Sequence, residues 1–324
     1  MKTPFLWIVS LMCTIGMPVV CAAQAEQILH YFGSKDGSES CAGLSWDTAG
    51  NLYGTNGIHE TKSAGNVFEL SPQPGGLWKY SLLHSFAAFD GDGSLPCGAV
   101  SFDGAGNLYG TTLGGGVYNH GTVYQLFPSG GRYKYKIIWS FSGTNHEGEQ
   151  SYSTPAIDAA GNLYGVTWVQ ALEGGRPGSV WELSPQAGGS WSETILYTLR
   201  GKPGVGKTQG VVFGPGGNLF GASFEGGVNG EGTVFELSPK AGGGWRTTVL
   251  YSFGQASSTD GSFPEGITFD SQGNLFGTTS AGGTHNFGIL YELPSNGNGI
   301  LGARSNHPQF RSLPRWSRAR HSRC

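Results

Sequence analysis

The sequence predicts an all-β fold, a β-propeller of four-stranded antiparallel blades. Three observations support this: a word repeated at constant period, four short apolar runs in each period, and no amphipathic helical window. The word is Asn-Leu-Tyr/Phe-Gly. It opens at Asn51, Asn107, Asn162, Asn218 and Asn274, at spacings of 56, 55, 56 and 56 residues. A period of that length marks one supersecondary unit copied in tandem, whose apolar faces are buried against its own copies.

The elements follow in chain order. Residues 1–25 read as a secretory signal, with Lys2 as the basic start, an apolar stretch from Phe5 to Val20, and Ala23-Gln24-Ala25 as a small-x-small cleavage site. The mature chain is expected to begin at Glu26 and to be secreted, periplasmic or extracellular. A lipoprotein reading through Cys21 is weaker, because Val20 sits where a small residue is wanted. No later apolar run approaches the roughly 20 residues of a membrane span.

Residues 26–294 carry the five copies. In the second copy the runs are Val100 to Phe102, Leu108 to Thr112, Thr122 to Leu126 and Tyr133 to Phe141, here called a, b, c and d. Alternation and β-branched or aromatic content mark each as a strand. The a–b joint is Asp103-Gly-Ala-Gly106, repeated at Asp47, Asp158 and Asp270, with Gly214 in place of the aspartate in copy four. Aspartate can bond the backbone two residues on, and glycine supplies positive φ, so these are tight turns. Run d opens on an aromatic residue and closes eight positions later on Phe or Leu, an even spacing that puts both on one strand face.

Phase predicts closure. The chain opens with a lone d-type run, Ile28 to Phe32, and the fifth copy stops after c at Leu290 to Leu293. Pairing these two would close a five-bladed ring and remove both exposed edges. A fragment of a larger ring and a linear solenoid of sheets are the alternatives.

The words Gly-Asn-Leu-Tyr-Gly-Thr-Thr and Gly-Thr-Val-Phe-Glu-Leu-Ser-Pro, about 16 residues apart, recur with a Gly-Gly-x-Trp turn at Gly75 to Trp78 and Gly188 to Trp191 and a related turn at Gly243 to Trp245. Over residues 28–293 this pattern resembles the GloVer tandem-repeat proteins, exported bacterial proteins with varied C-terminal sorting or anchoring signals. The resemblance implies an extracellular repeat protein with no assigned activity, so it brings no catalytic residues. This chain departs from the pattern by ending without a recognisable anchor.

The formal net charge of −3 conceals an asymmetry: residues 295–324 hold six arginines and no acid, leaving 13 basic against 22 acidic residues before them, a net of −9. An acidic body argues against a nucleic-acid surface. The basic tail reads as a polyanion-binding arm, a solvated tail, or out-of-frame sequence. Cys41 and Cys97 each stand ten residues before the repeated Asn, so an inter-repeat disulfide and two small buried thiols are both consistent with the pattern.

Gly201-Lys-Pro-Gly-Val-Gly-Lys-Thr208 matches the phosphate-binding loop pattern. That pattern needs a following helix, whereas strand a of copy four comes next, so nucleotide binding is not expected. The repeated acids Asp47, Asp103, Asp158 and Asp270, and Glu69, Glu182, Glu236 and Glu292, serve what every blade needs and read as scaffold. Asp90-Gly-Asp92-Gly-Ser94 resembles the start of a Ca²⁺ loop but lacks the later bidentate Glu; turn chemistry explains it, with weak Ca²⁺ binding as the alternative, and no other cofactor is expected. The eight histidines show no metal spacing, and His30 and His84 occupy a packing position in run d. No nucleophile elbow or zinc-protease motif occurs.

Antiparallel geometry puts the d–a and b–c loops at one end of every blade, where residues that differ between copies become ligand candidates. These are His59, Tyr118, His120, Tyr152, Trp168, Arg176, Phe224, Glu225 and His285, together with the acids Glu60 and Glu173. Acids beside aromatics suit a carbohydrate, an envelope component or a protein. The alternative is a polysaccharide-active hydrolase or lyase with carboxylates at the channel mouth, for which Glu39, Glu149 and Glu265 are the catalytic candidates.

Overall fold

The computed structural model describes residues 27–33, 36, 40, 42–57, 64–87, 91–144, 149–168, 178–199, 210–254 and 260–295. Five antiparallel sheets, each in simple sequence order, form the five blades of a β-propeller, without α-helix among the described residues. Blade one holds β1 (Ser45–Trp46), β2 (Leu52–Asn56), β3 (Asn66–Gln73) and β4 (Leu77–Ser85). After β5 (Gly93–Ser94), blade two comprises β6 (Ser101–Phe102), β7 (Leu108–Thr112), β8 (Gly114–Gly115), β9 (Thr122–Ser129) and β10 (Arg132–Ser140); β8 leaves the blade to pair with β5 as a separate ribbon. Blade three is β11 (Ala156–Ile157), β12 (Leu163–Thr167), β13 (Ser179–Pro185) and β14 (Trp191–Thr198). Blade four is β15 (Val211–Phe213), β16 (Leu219–Ser223), β17 (Thr233–Pro239) and β18 (Trp245–Ser252). Blade five is β19 (Gly261–Phe269), β20 (Leu275–Gly282) and β21 (Leu290–Leu293).

The repeated word sets one register in all five blades. Its Leu lies opposite the Leu of the c strand, as in Leu52↔Leu70, Leu108↔Leu126, Leu163↔Leu183, Leu219↔Leu237 and Leu275↔Leu293. Its Gly lies opposite an aromatic residue: Phe68, Tyr124, Trp181, Phe235 or Tyr291. The ring folds back over the glycine, so that a Cβ at Gly54 or Gly221 would lie 2.5 Å from it. Each folded ring then meets the last residue of the preceding d run. Phe86 packs on Tyr124 at 5.2 Å, Phe141 on Trp181 at 5.7 Å, and Phe253 on Tyr291 at 5.1 Å, while Leu199 shares a core with Phe235. These are the most buried large side chains of the molecule, so the interfaces between blades form its core. On the a strands, the Ser45 hydroxyl donates to the Val100 carbonyl and that of Ser101 to the Pro155 carbonyl, tying neighbours together.

The turn aspartates are saturated acceptors. Asp103 Oδ1 accepts from the amides of Ala105 and Asn107, and Oδ2 accepts from Asn107 Nδ2 at 2.6 Å and the Tyr109 hydroxyl at 3.1 Å. Asp47 and Asp158 repeat this set. Burial opposes the charge, yet the bonds from Asn and Tyr side chains and from amides hold all three carboxyls below their ordinary value of 3.8. In blade four the aspartate is Gly214 and the tyrosine is Phe220, and Asn218 Nδ2 donates to Glu236 Oε1 at 2.5 Å instead. These contacts give the turn aspartates of blades one, two and three, and Glu236 of blade four, a structural role.

The amino end differs from expectation. The expected strand at Ile28 to Phe32 is not formed, and among the described residues the fifth sheet has three strands. Side-chain packing takes its place for Phe32. That ring lies 5.2 Å from Phe68 and 6.4 Å from Tyr80, as Phe86 lies 5.2 Å from Tyr124 and 5.7 Å from Tyr135. Phe32 therefore fills against blade one the place that a d-run phenylalanine fills against blades two, three and five. Beside it the repeat changes. Where blades two and three pair hydroxyls, Thr112 with Thr122 at 2.7 Å and Thr167 with Ser179 at 2.8 Å, blade one has Asn56 opposite Asn66. Both amide nitrogens donate to the Asp36 carbonyl, at 2.8 and 2.7 Å, and both buried Oδ1 atoms accept nothing.

Gly165→Ala should lower the unfolding free energy by about 1–3 kcal/mol through overpacking against Trp181, whereas Gly104→Ala, whose methyl meets nothing within 4 Å, should leave the denaturation midpoint unchanged. Asp158→Asn should cost about 1–2 kcal/mol near pH 7. Because the folded carboxyl titrates below 3.8, its stabilisation is complete above that value and is lost as pH falls through the folded value. The gap between parent and variant in urea titrations should therefore narrow as pH falls below about 4.

Candidate functional site

The d–a and b–c loops meet at one end of the ring through a repeated backbone device. Leu95, Gln150 and Phe263, equivalent positions in three d–a loops, have φ of 57°, 59° and 59°. A side chain there costs about 1–2 kcal/mol, and each residue uses the conformation to bond a neighbouring blade. Leu95 N donates to Ala64 O at 2.6 Å, Gln150 N to His120 O at 2.8 Å, and Phe263 N to Glu231 O at 2.8 Å. The carbonyl side continues the link, since Leu113 N donates to Leu95 O and Trp168 N to Gln150 O, both at 3.1 Å.

At Gln150 this device gathers four of the residues expected to bind ligand or carry chemistry. The loop of blade two presents His120, the loop between blades two and three presents Glu149 and Tyr152, and the residue after β12 is Trp168. His120 Nδ1 lies 2.5 Å from Glu149 Oε2, with the two side chains 36% and 30% exposed, so the pair reaches solvent. Tyr152 meets Trp168 edge-on, ring centroids 5.7 Å apart, and burial pushes the Tyr152 hydroxyl pKa up. The His120 ring covers Gly143, where a Cβ would lie 3.0 Å from it. A histidine–carboxylate pair able to exchange hydrogen bonds with hydroxyl groups thus stands beside two aromatic rings.

The remaining candidates lie elsewhere on the loops. Tyr118 is exposed at the tip of the loop after β8. Phe224 stacks on Phe263 at 4.8 Å and 19°, and the Glu225 carbonyl accepts the Ser223 hydroxyl at 3.0 Å. Glu265 is half-buried within β19, and His285 follows β20. Glu39, His59, Glu60, Glu173, Arg176, Cys41 and the Gly201 to Thr208 loop lie outside the described residues. Cys97 is disulfide-bonded. Asp92 of the suspected Ca²⁺ loop accepts from the amides of Ala87 and Gly93, both at 2.8 Å. Burial works against its charge, but the neighbouring His84 and Tyr135 and these amides bring its pKa down to about 2. His84 stacks flat on Tyr135 at 3.7 Å, a packing role. Among the described residues no group of three His, Cys, Asp or Glu could hold a metal, and no helix is long and apolar enough to cross a membrane. The stitching residues Gln150 and Phe263 were invisible to motif reading. Their signal was only their shared register after an acid or Gly-Ser in the d–a loop.

Gln150→Gly should raise the melting point, relieving up to about 1 kcal/mol of strain, whereas the β-branched Gln150→Val should lower it.

Solved structures of low sequence identity resemble the chain to different degrees. A luciferin-regenerating enzyme superposes with a TM-score of 0.51 at 15% identity, over 80% of this chain and 74% of the other. A Bacteroides fragilis protein described as a putative 6-phosphogluconolactonase gives 0.47 at 11% identity over 81% and 68%, and an endo-arabinase of Bacteroides thetaiotaomicron 0.39 at 13% over 78% and 93%. At such identities the likeness is one of fold, and the last two scores carry no further argument. No curated protein matches the chain. The model of the Gloeobacter/Verrucomicrobia repeat matches residues 19–190 and 96–304. With that match spanning the five copies and the register identical in each, the chain belongs to the Gloeobacter/Verrucomicrobia repeat family.

Proposed function

We propose that this chain is an exported propeller binding module that uses the loops between blades two and three to hold a neutral saccharide, such as a component of a cell envelope. The observation that carries the reading is the solvent-reaching His120–Glu149 pair beside the Tyr152–Trp168 rings. Sugars present hydroxyls around an apolar face of C–H groups. The histidine–carboxylate pair takes the hydroxyls, and the face of an aromatic ring takes the C–H groups. Binding is favoured over hydrolysis because Glu149 is committed to His120, whereas a glycosidase needs two carboxylates about 5–10 Å apart with one free to accept or give a proton.

Residues 26–324 should bind neutral oligosaccharides on a glycan panel without releasing new reducing ends. Trp168→Ala and Glu149→Gln should each weaken binding about tenfold while leaving the melting temperature of the free protein within a few degrees. Release of reducing ends, or binding indifferent to both variants, would overturn the proposal.

A further inference from the structure

A groove of about 580 Å³ runs between blades one and two at the end of the ring that carries the c–d turns, away from the loop face. Two departures from the repeat open it. Blades three and four begin their d strands with Trp191 and Trp245, whose rings pack edge-on against Tyr109 and Tyr164 of the preceding blade at 6.2 and 6.5 Å. Blade two has the smaller Tyr133 there, interacting with Tyr53 of blade one. The c–d turns also differ. Blades one and three spend three residues, Pro74–Gly76 and Ala187–Gly189, where blade two turns in two, Gly130 and Gly131, with φ of 61° and 78°.

The lining has a definite chemistry. Glu69, Ser71, Lys79 and Ser81 stand on one face of β3 and β4, in cross-strand pairs Glu69↔Ser81 and Ser71↔Lys79, and Arg132 and Tyr133 face them from β10. Glu69 is engaged by the Ser71 hydroxyl at 2.7 Å. Lys79 and Arg132 make no ion pair among the described residues. Two cations and one carboxylate, Glu69, over a floor of hydroxyls leave the lining with one net positive charge, and within the roughly 300–1,000 Å³ typical of small-ligand sites they suit a ligand with one anionic group and several hydroxyls.

We propose that this groove binds an acidic oligosaccharide, with Lys79 and Arg132 taking the carboxylate of a uronic acid unit and Ser81, Tyr133 and Glu69 its hydroxyls. The Arg132 fork matches a carboxylate in two parallel bonds, and Lys79 adds a point charge. The proposal goes beyond the loop-face reading and rests on none of its residues.

The test is calorimetric titration of residues 26–324 with trigalacturonate, with neutral galactotriose and inorganic phosphate titrated in parallel. Trigalacturonate is expected to bind in preference to both, and more weakly as salt rises. Lys79→Ala and Arg132→Ala should each reduce affinity about tenfold. Tyr133→Trp, which restores the side chain of blades three and four, should fill the groove and abolish binding with the fold retained. Trp168→Ala should leave trigalacturonate binding intact, which separates this site from the loop face. Absence of trigalacturonate binding, equal binding of galactotriose, equal or tighter binding of phosphate, or retention in Tyr133→Trp would each overturn it.

Discussion

One steric nest organises this molecule: an aromatic ring of the c strand folded over a glycine of the b strand, with the closing residue of the previous blade pressed on its far side. The glycine leaves the space, the ring fills it, and the neighbour covers the ring. Each sheet thereby buries both its faces only because another sheet stands beside it. No blade has a core of its own, so the stability of the array is a sum of interfaces. The aspartate turns add local order at the rim, and their four-donor carboxylates keep the b strand aligned with the nest.

Much of this was legible in the sequence because it is repeated. The period, the strand order and the shared register follow from residues that recur in every copy, and the aspartate turns from one that recurs in four of the five. What recurs must satisfy a need that recurs. The amino end was misread for the opposite reason. Ile28 to Phe32 has the composition of a d strand, and phase argued for a ladder, but composition cannot separate a backbone ladder from a side chain docked in the same place. Phe32 makes the aromatic contact without the strand. The loop-face cluster was half legible. His120, Glu149, Tyr152 and Trp168 stood out as deviations, but their convergence depends on the left-handed Gln150 and its two backbone bonds, which no side-chain motif announces. The groove between blades one and two was missed because it arises from a smaller ring and a shorter turn, where subtraction leaves little trace.

Departures from the repeat therefore carry two kinds of meaning. Some are compensated locally, as in blade four, where Gly214 and Phe220 replace an acid and its phenol together and Asn218 finds Glu236. Others are left open, as at Tyr133 with Lys79 and Arg132. Chemistry is to be sought among the second kind, since a scaffold has no reason to leave charge and aromatic surface unanswered.

The asparagine pair of blade one gives the ring a seam. Two side-chain amides hook a single main-chain oxygen of the incoming segment, and their own carbonyls, shut away from water, find no donor. Elsewhere the matching hydroxyls in blades two and three satisfy one another. The incoming segment is thus fastened to blade one by half-satisfied polar contacts, which lowers the cost of releasing it.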